Sequence, residues 1–99
     1  MNIIKTQEGS VLSVALEGRL DTVTSPQLEG ELRTAVSGVT ELIFDLKSLD
    51  YISSAGLRVL LSAQKVMNRQ GSMTIRNVKP EIMEIFEVTG FVDILNIEA

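Results

Sequence analysis

A short apolar run followed by an amphipathic segment occupies the middle of the chain. Leu42 to Leu46 is almost continuously apolar, which is typical of a strand covered on both faces. Polar residues at 47–50 then interrupt the run and predict a turn. From Leu57 the apolar positions follow i, i+3, i+4 spacing, which predicts a helix to about Met67. The residues that we expect on its wet face are Ser62, Gln64, Lys65, Asn68 and Arg69.

The sequence of the first part of the chain predicts a hairpin and a helix. Residues 2–6 and 10–17 predict two strands, and the short connection with Gly9 favours antiparallel pairing. Gly18 ends the second strand, and a polar loop is expected over 19–24. Ser25 followed by Pro26 predicts a helix start, with the Ser25 hydroxyl as the cap.

The last part supplies one more strand and one more helix. Residues 72–76 predict a short strand, and Pro80 begins a helix that Thr89-Gly90 ends. Residues 91–97 fit either a final short strand or a loosely packed tail. We expect a single α/β domain over residues 1–99, with a mixed four- to five-stranded sheet, an antiparallel N-terminal hairpin and helices packed on the sheet. The residues expected in the core include Leu42, Phe44, Leu57, Leu60, Leu61 and Ile75.

Composition narrows the possible functions. The 99 residues contain no cysteine and no histidine, which excludes thiol catalysis, Ser-His pairs and zinc sites built on those ligands. A net charge of −4 makes nucleic acid a poor partner. No apolar stretch approaches the roughly 20 residues that span a bilayer. The N-terminus lacks the features of a signal peptide, so we expect a cytoplasmic domain without membrane insertion.

Two adjacent serines stand where the central helix should begin. Ser53 is the expected N-cap, and Ser54 starts the first turn. Unpaired backbone N–H groups and the helix dipole favour an anion at that position. Gly56 lets another backbone approach closely. Capping by the two serines is the simplest interpretation, and an exposed modification site is the alternative.

These residues carry a resemblance to a known family. Ile52 to Leu57, ISSAGL, follows the predicted strand and resembles the signature loop of STAS domains, more narrowly of bacterial anti-sigma factor antagonists. Gly18 to Asp21 with Thr24-Ser25-Pro26 is similar to that family's second recurring segment. The resemblance implies phosphorylation on the serine two residues before Gly56, which is Ser54. The family commonly has aspartate before that serine, whereas this chain has Ser53, which leaves Ser53 as a second possible acceptor.

The resemblance also implies a function. Such antagonists bind an anti-sigma factor that is a serine/threonine kinase and so free a sigma factor; the kinase phosphorylates the loop serine, and a serine phosphatase reverses this. The implied partner-binding residues are Asp21, Ile52, Ser53, Ser54, Ala55, Gly56, Leu57 and Arg58. The chain would then be a kinase substrate and not an enzyme, with no metal or cofactor of its own. One alternative is a non-phosphorylated STAS docking module, for example of a lipid-transport ATPase complex; a hydrolase is a distant third.

Several single residues keep two interpretations. Asp21 is either a carboxylate beside the acceptor or a loop residue that binds local backbone. Asp50 is expected in a turn. At least one of Tyr51 and Ile52 should be core, and either could contact a partner. Arg58 could meet an acidic partner group, although we favour a solvated side chain.

Overall fold

The structure is a computed structural model in which residues 1–98 are described. Within that range the chain forms four strands, three helices and one short 3-10 helix. Their order is β1 (Asn2–Glu8), β2 (Val11–Leu20), α1 (Ser25–Ala35), β3 (Glu41–Ile52), α2 (Ser54–Gln70), β4 (Ser72–Arg76), α3 (Pro80–Thr89) and the 3-10 helix (Phe91–Asp93). Every helix of residues 1–98 is too short or too polar to cross a membrane.

The strands form one mixed sheet in the order β1-β2-β3-β4. The first two strands are antiparallel, while β2–β3 and β3–β4 are parallel. The predicted α/β class, the mixed sheet and the N-terminal hairpin are therefore confirmed. Residues 91–97 form neither of the two structures that we expected. Among residues 94–98, which follow the 3-10 helix, Ile97 pairs with the sheet through a parallel bridge to Ile75.

One hydrophobic core lies between the sheet and the helices. Strand alternation turns Leu12, Val14 and Leu16 of β2 inward, and helical spacing turns one stripe of each helix toward them. The buried hydrophobic residues of the three helices are Leu28 and Leu32 in α1; Leu57, Val59, Leu60, Ala63 and Met67 in α2; and Ile82 and Phe86 in α3. Of the predicted core set only Leu61 is half-buried. Gln64 is 7% exposed, so the prediction that it lies on the wet face is wrong.

The polar turn predicted at 47–50 is wrong, because β3 continues through it to Ile52. The register of β2 against β3 slips after Ala15 and again after Gly18, so β3 carries one extra residue at each slip. The inward positions of β3 are consequently spaced by two and then by three residues: Leu42, Phe44, Leu46, Leu49 and Ile52. The broken alternation looked like a turn in the sequence.

Two boundaries near the start of α1 also differ from expectation. Strand β2 does not end at Gly18; it continues to Leu20, which pairs with Ile52. Helix α1 has Thr24 at its N-cap, so Ser25 is the first helical residue and not the cap. The Thr24 hydroxyl is held instead by the end of β2, where it donates to the carbonyl of Arg19 at 2.7 Å.

Candidate functional site

The junction between β3 and α2 consists of a single residue, Ser53. Its backbone is extended, and its Oγ accepts a hydrogen bond from the N–H of Gly56 at 3.4 Å. Its own N–H donates to the carbonyl of Leu20 at 2.9 Å, which ties the junction to the end of β2. Ser53 is therefore the N-cap of α2, as the sequence predicted, and its hydroxyl is engaged by that role.

Ser54 is the first residue of α2, and its side chain is exposed. It lies at the end of a 17-residue helix where backbone N–H groups remain unpaired and the dipole is positive. The first turn of α2 contains no acidic residue that would already use this field. A phosphate or carboxylate on the Ser54 side chain would thus meet a favourable electrostatic environment.

Gly56 is buried because α2 begins directly against the end of β2. A Cβ at this position would lie 2.8 Å from the Ile52 side chain, 2.8 Å from the Leu20 side chain and 2.9 Å from the Leu20 carbonyl oxygen. The expected close approach of another backbone is confirmed, and that backbone belongs to Leu20. The contact fixes the position of both serines relative to the loop after β2.

Asp21 follows Leu20 and organises that loop through local hydrogen bonds. Its Oδ1 accepts from the backbone N–H groups of Val23 at 3.0 Å and Thr24 at 3.1 Å. The N–H of Thr24, and then that of Val23, holds the pKa of the Asp21 carboxyl below its ordinary value. Asp21 therefore binds local backbone, which is one of the two roles that we expected for it. Because the neighbouring Leu20 binds Ser53, the same loop also lies beside the serines.

Arg19 and Tyr51 add a pair of side chains that the sequence did not reveal. They are register partners across β2 and β3, and the guanidinium lies 4.3 Å from the ring centroid. The Arg19 Nε is also 3.7 Å from a carboxylate oxygen of Asp21. The sequence could have predicted this pair only through the register of β2 against β3, and the two register shifts make that register hard to predict.

Asp50 does not lie in a turn, contrary to expectation. It is a residue of β3, and its carboxylate accepts from the Lys79 ammonium at 2.8 Å. Lys79 precedes α3, so the pair links that helix to the sheet at the surface. Asp50 is thus occupied by a structural contact. Across residues 1–98, no group of three carboxylates is arranged to hold a metal ion.

The residues expected to contact a partner divide into two groups. Ile52 at 2% exposure, Leu57 at 5% and Gly56 are buried, so the structure gives them a positioning role in place of the expected surface contact. Tyr51 is the exposed member of the Tyr51–Ile52 pair. Ser54 and Arg58 are exposed, and three further residues are half-buried: Asp21, Ser53 and Ala55.

Comparison with known proteins gives consistent matches over the whole chain. The family model described as STAS domain matches residues 2–99. A protein named as an anti-sigma factor antagonist, BtrV of Bordetella bronchiseptica, is 38% identical over 95% of this chain and 83% of its own length. The anti-sigma-B factor antagonist of Bacillus subtilis is 28% identical over 100% of this chain and 92% of its own.

A solved structure agrees with the fold. The Bacillus cell fate determinant SpoIIAA in its phosphorylated form superposes with a TM-score of 0.77 at 19% identity. The match covers 99% of this chain and 92% of that one. At this identity the likeness shows that the two chains share a fold.

Proposed function

This chain belongs to the STAS domain family, and from that premise we propose that it is an anti-sigma factor antagonist controlled by phosphorylation of Ser54. In the unphosphorylated form it binds an anti-sigma factor that is a serine/threonine kinase, and a sigma factor is released for transcription. The kinase supplies the chemistry, and a serine phosphatase returns the antagonist to its binding form. The chain itself acts as a binding protein and kinase substrate in the cytoplasm.

The observation that carries the proposal is the different state of the two serine side chains. The Ser53 hydroxyl accepts the N–H of Gly56 and is half-buried, whereas the Ser54 side chain is exposed on the first turn of α2. A kinase needs an accessible hydroxyl, and the helix terminus stabilises the phosphate after transfer. Phosphorylation of SpoIIAA, which has the same fold, supports the same type of control here.

The proposed switch works through charge. A phosphoserine adds about −1.5 to −2 charge at neutral pH and three acceptor oxygens. On Ser54 this charge would lie within the contact surface formed by the serine loop and the Asp21 loop. The partner would then have to bury a doubly charged group, or leave it unpaired, and this lowers affinity. Because the helix dipole favours the same charge, the domain itself stays folded.

Incubation with the purified anti-sigma factor kinase of the same organism and ATP tests the acceptor. We expect a single phosphate on Ser54 by mass spectrometry, and none in the variant Ser54→Ala. Ser53→Ala should keep the label, at a reduced rate because the cap is lost. Ser37→Ala removes another exposed hydroxyl, after the end of α1, and is the matched control, with full labelling expected.

Two results would contradict this proposal. Phosphate on Ser53 alone would mean that accessibility does not select the acceptor. Tight binding of a partner with no phosphorylation of either serine would favour the non-phosphorylated docking module. Intact-mass analysis together with mapping of the phosphorylated residue, on the chain recovered from its own cells, distinguishes these cases.

A further inference from the structure

A groove of about 420 Å³ lies between the first turns of α1 and α2. Ser25 and Pro26 of α1 form one wall, and Ala55 and Arg58 of α2 form the other. Ala55 directly follows Ser54 in the chain, so the groove opens beside the proposed phosphate acceptor. Whatever occupies it would lie within the surface that the proposed switch controls.

Ser25 gives the groove a hydrogen-bonding group without a partner. The residue is only 3% exposed, and its hydroxyl has no hydrogen-bond partner among residues 1–98. An unpaired buried hydroxyl is unfavourable, and native structures usually satisfy such groups. Ser25 is also the first residue of α1, where the helix dipole favours an acceptor with negative charge.

Arg58 gives the same groove a positive charge without a counter-ion. Within residues 1–98 the structure pairs Arg19, Arg33 and Arg76 with carboxylates. In that range it forms no such pair for Arg58 or Arg69, and of these two only Arg58 lines the groove. The carboxylate in the groove wall, Glu29, is already held by Arg33 at 3.1 Å. The groove wall therefore includes an exposed guanidinium and, beneath its surface, the buried Ser25 hydroxyl. A carboxylate that pairs with Arg58 would also satisfy this hydroxyl once the Ser25 side chain turns toward the groove.

We propose that this groove binds an aspartate or glutamate side chain of the anti-sigma factor kinase, which accepts from Ser25 and pairs with Arg58. This rests on the proposed function and names the chemistry by which the partner is held. Arg58 is also four residues after Ser54, and long side chains on a helix lean toward its N-terminus. A phosphate on Ser54 competes for the same guanidinium. Phosphorylation thus removes the partner carboxylate's counter-ion in addition to placing a like charge beside it.

Binding of the purified kinase to single variants tests the carboxylate site. Isothermal titration should show at least a 10-fold loss of affinity for Arg58→Gln, since arginine pairs at the centre of interfaces carry much of the binding energy. Arg69→Gln is the matched control, because Arg69 is an exposed arginine of the same helix that does not line the groove. We expect its affinity to stay within about 2-fold of the unmodified chain, as for exposed surface charges generally.

Ser25→Ala separates binding from folding. Removal of an unpaired buried hydroxyl should leave the melting temperature of the free chain unchanged or raised. The affinity for the kinase should nevertheless fall by about 10-fold, the typical worth of a hydrogen bond to a charged group. Lower stability together with unchanged affinity would show that Ser25 has only a structural role and would overturn its part in the site.

Double-mutant cycles identify the partner's residue. Each exposed aspartate or glutamate of the kinase is changed to its amide and tested against the chain with Arg58 and with Arg58→Gln. For one of these kinase residues, the change to its amide should lower the affinity for the chain with Arg58. The same change should lower the affinity for Arg58→Gln by little more. If no carboxylate is coupled to Arg58, or if Arg58→Gln binds as Arg69→Gln does, the inference is wrong.

The competing phosphate is tested without any kinase. Phosphoserine is incorporated at position 54 during synthesis, and its second ionisation is followed by ³¹P NMR. In Arg58→Gln the pKa of the phosphate should rise, because the guanidinium no longer favours the dianion; an unchanged pKa overturns the competition. Failure of the kinase to bind or label the unmodified chain would refute the proposed function. Normal binding and labelling with no effect of Arg58→Gln would refute only this inference.

Discussion

Replacement of Gly56 by alanine tests whether the contact between α2 and the end of β2 sets the position of the serines. The added Cβ would lie 2.8 Å from side-chain atoms of Leu20 and Ile52 and 2.9 Å from the Leu20 carbonyl oxygen. Neither neighbour can move freely, since Leu20 is 0% and Ile52 2% exposed. Overpacking of this kind costs about 1–3 kcal/mol.

The helix propensity of alanine acts in the opposite direction, and a second glycine measures that effect. Gly30 lies within α1, and a Cβ there would meet nothing within 4 Å. Gly30→Ala should therefore raise the free energy of unfolding by up to about 1 kcal/mol. In Gly56→Ala a comparable gain is outweighed by the clash, so we expect a net loss of up to about 2 kcal/mol.

Urea unfolding of the two variants and the unmodified chain decides the question. For a domain of 99 residues, about 1 kcal/mol corresponds to roughly 4–8 °C in melting temperature. Gly30→Ala should therefore raise both the free energy of unfolding in urea and the melting temperature, and Gly56→Ala should lower both. If Gly56→Ala proved as stable as Gly30→Ala, the close packing of α2 on Leu20 would not constrain the junction, and the positioning argument would fail.

Other predictions concern the Asp21 loop, the end of α2 and the charge on its first turn. The depressed pKa of Asp21 means that its contribution to stability is present above its ordinary value of 3.8 and is lost as pH falls through the lower folded value. Asp21→Asn should lose less stability on acidification in this range, as measured by pH-dependent urea unfolding. Gln70→Ala should lose about 1 kcal/mol, because the amide donates to the carbonyls of Val36 at 2.8 Å and Val39 at 2.6 Å. Ser54→Asp should keep or raise the melting temperature, by the equivalent of about 0.3–1 kcal/mol, while calorimetry shows weaker binding of the kinase than for Ser54→Ala.

The parts of the fold that the sequence predicted correctly are those with regular spacing and local end signals. Strand β4 (Ser72–Arg76) has the predicted bounds, and Ser53 caps α2 as expected. Pro80 begins α3 and Gly90 follows its last residue, as the sequence indicated. In each case the deciding interactions lie within a few residues, so local propensity and the tertiary structure agree.

Long-range packing determined what the sequence could not show. The two register shifts depend on how β2 and β3 pair. They place Leu49 and Ile52 on the inward face at a spacing of three residues, which in the sequence is not typical of a strand. Gln64 is buried by the packing of α2, although its residue type indicates a wet face. Neither feature has a local signal.

The candidate site shows the same division between local and long-range information. The serine at the helix start could be predicted, because capping chemistry is local. The tie from Ser53 to the Leu20 carbonyl and the proximity of Ser25 to Arg58 across the groove join segments about thirty residues apart. The predicted identity of the acceptor came from counting back from Gly56, while the structure supplies the physical reason for preferring Ser54 to Ser53.

The engaged hydroxyl of Ser53 has a consequence for how a phosphorylation switch at this junction can work. A phosphate on Ser53 would replace the cap that holds Gly56 and would disturb the hydrogen bond to Leu20, so it would alter the fold locally. A phosphate on Ser54 leaves that cap and the contact at Gly56 in place, and it changes only the charge of the exposed first turn. The binding surface can then be switched off and restored without unfolding and refolding of the domain. The departure from the family's common aspartate at position 53 is compatible with this, since a serine and an aspartate both cap a helix through a side-chain oxygen.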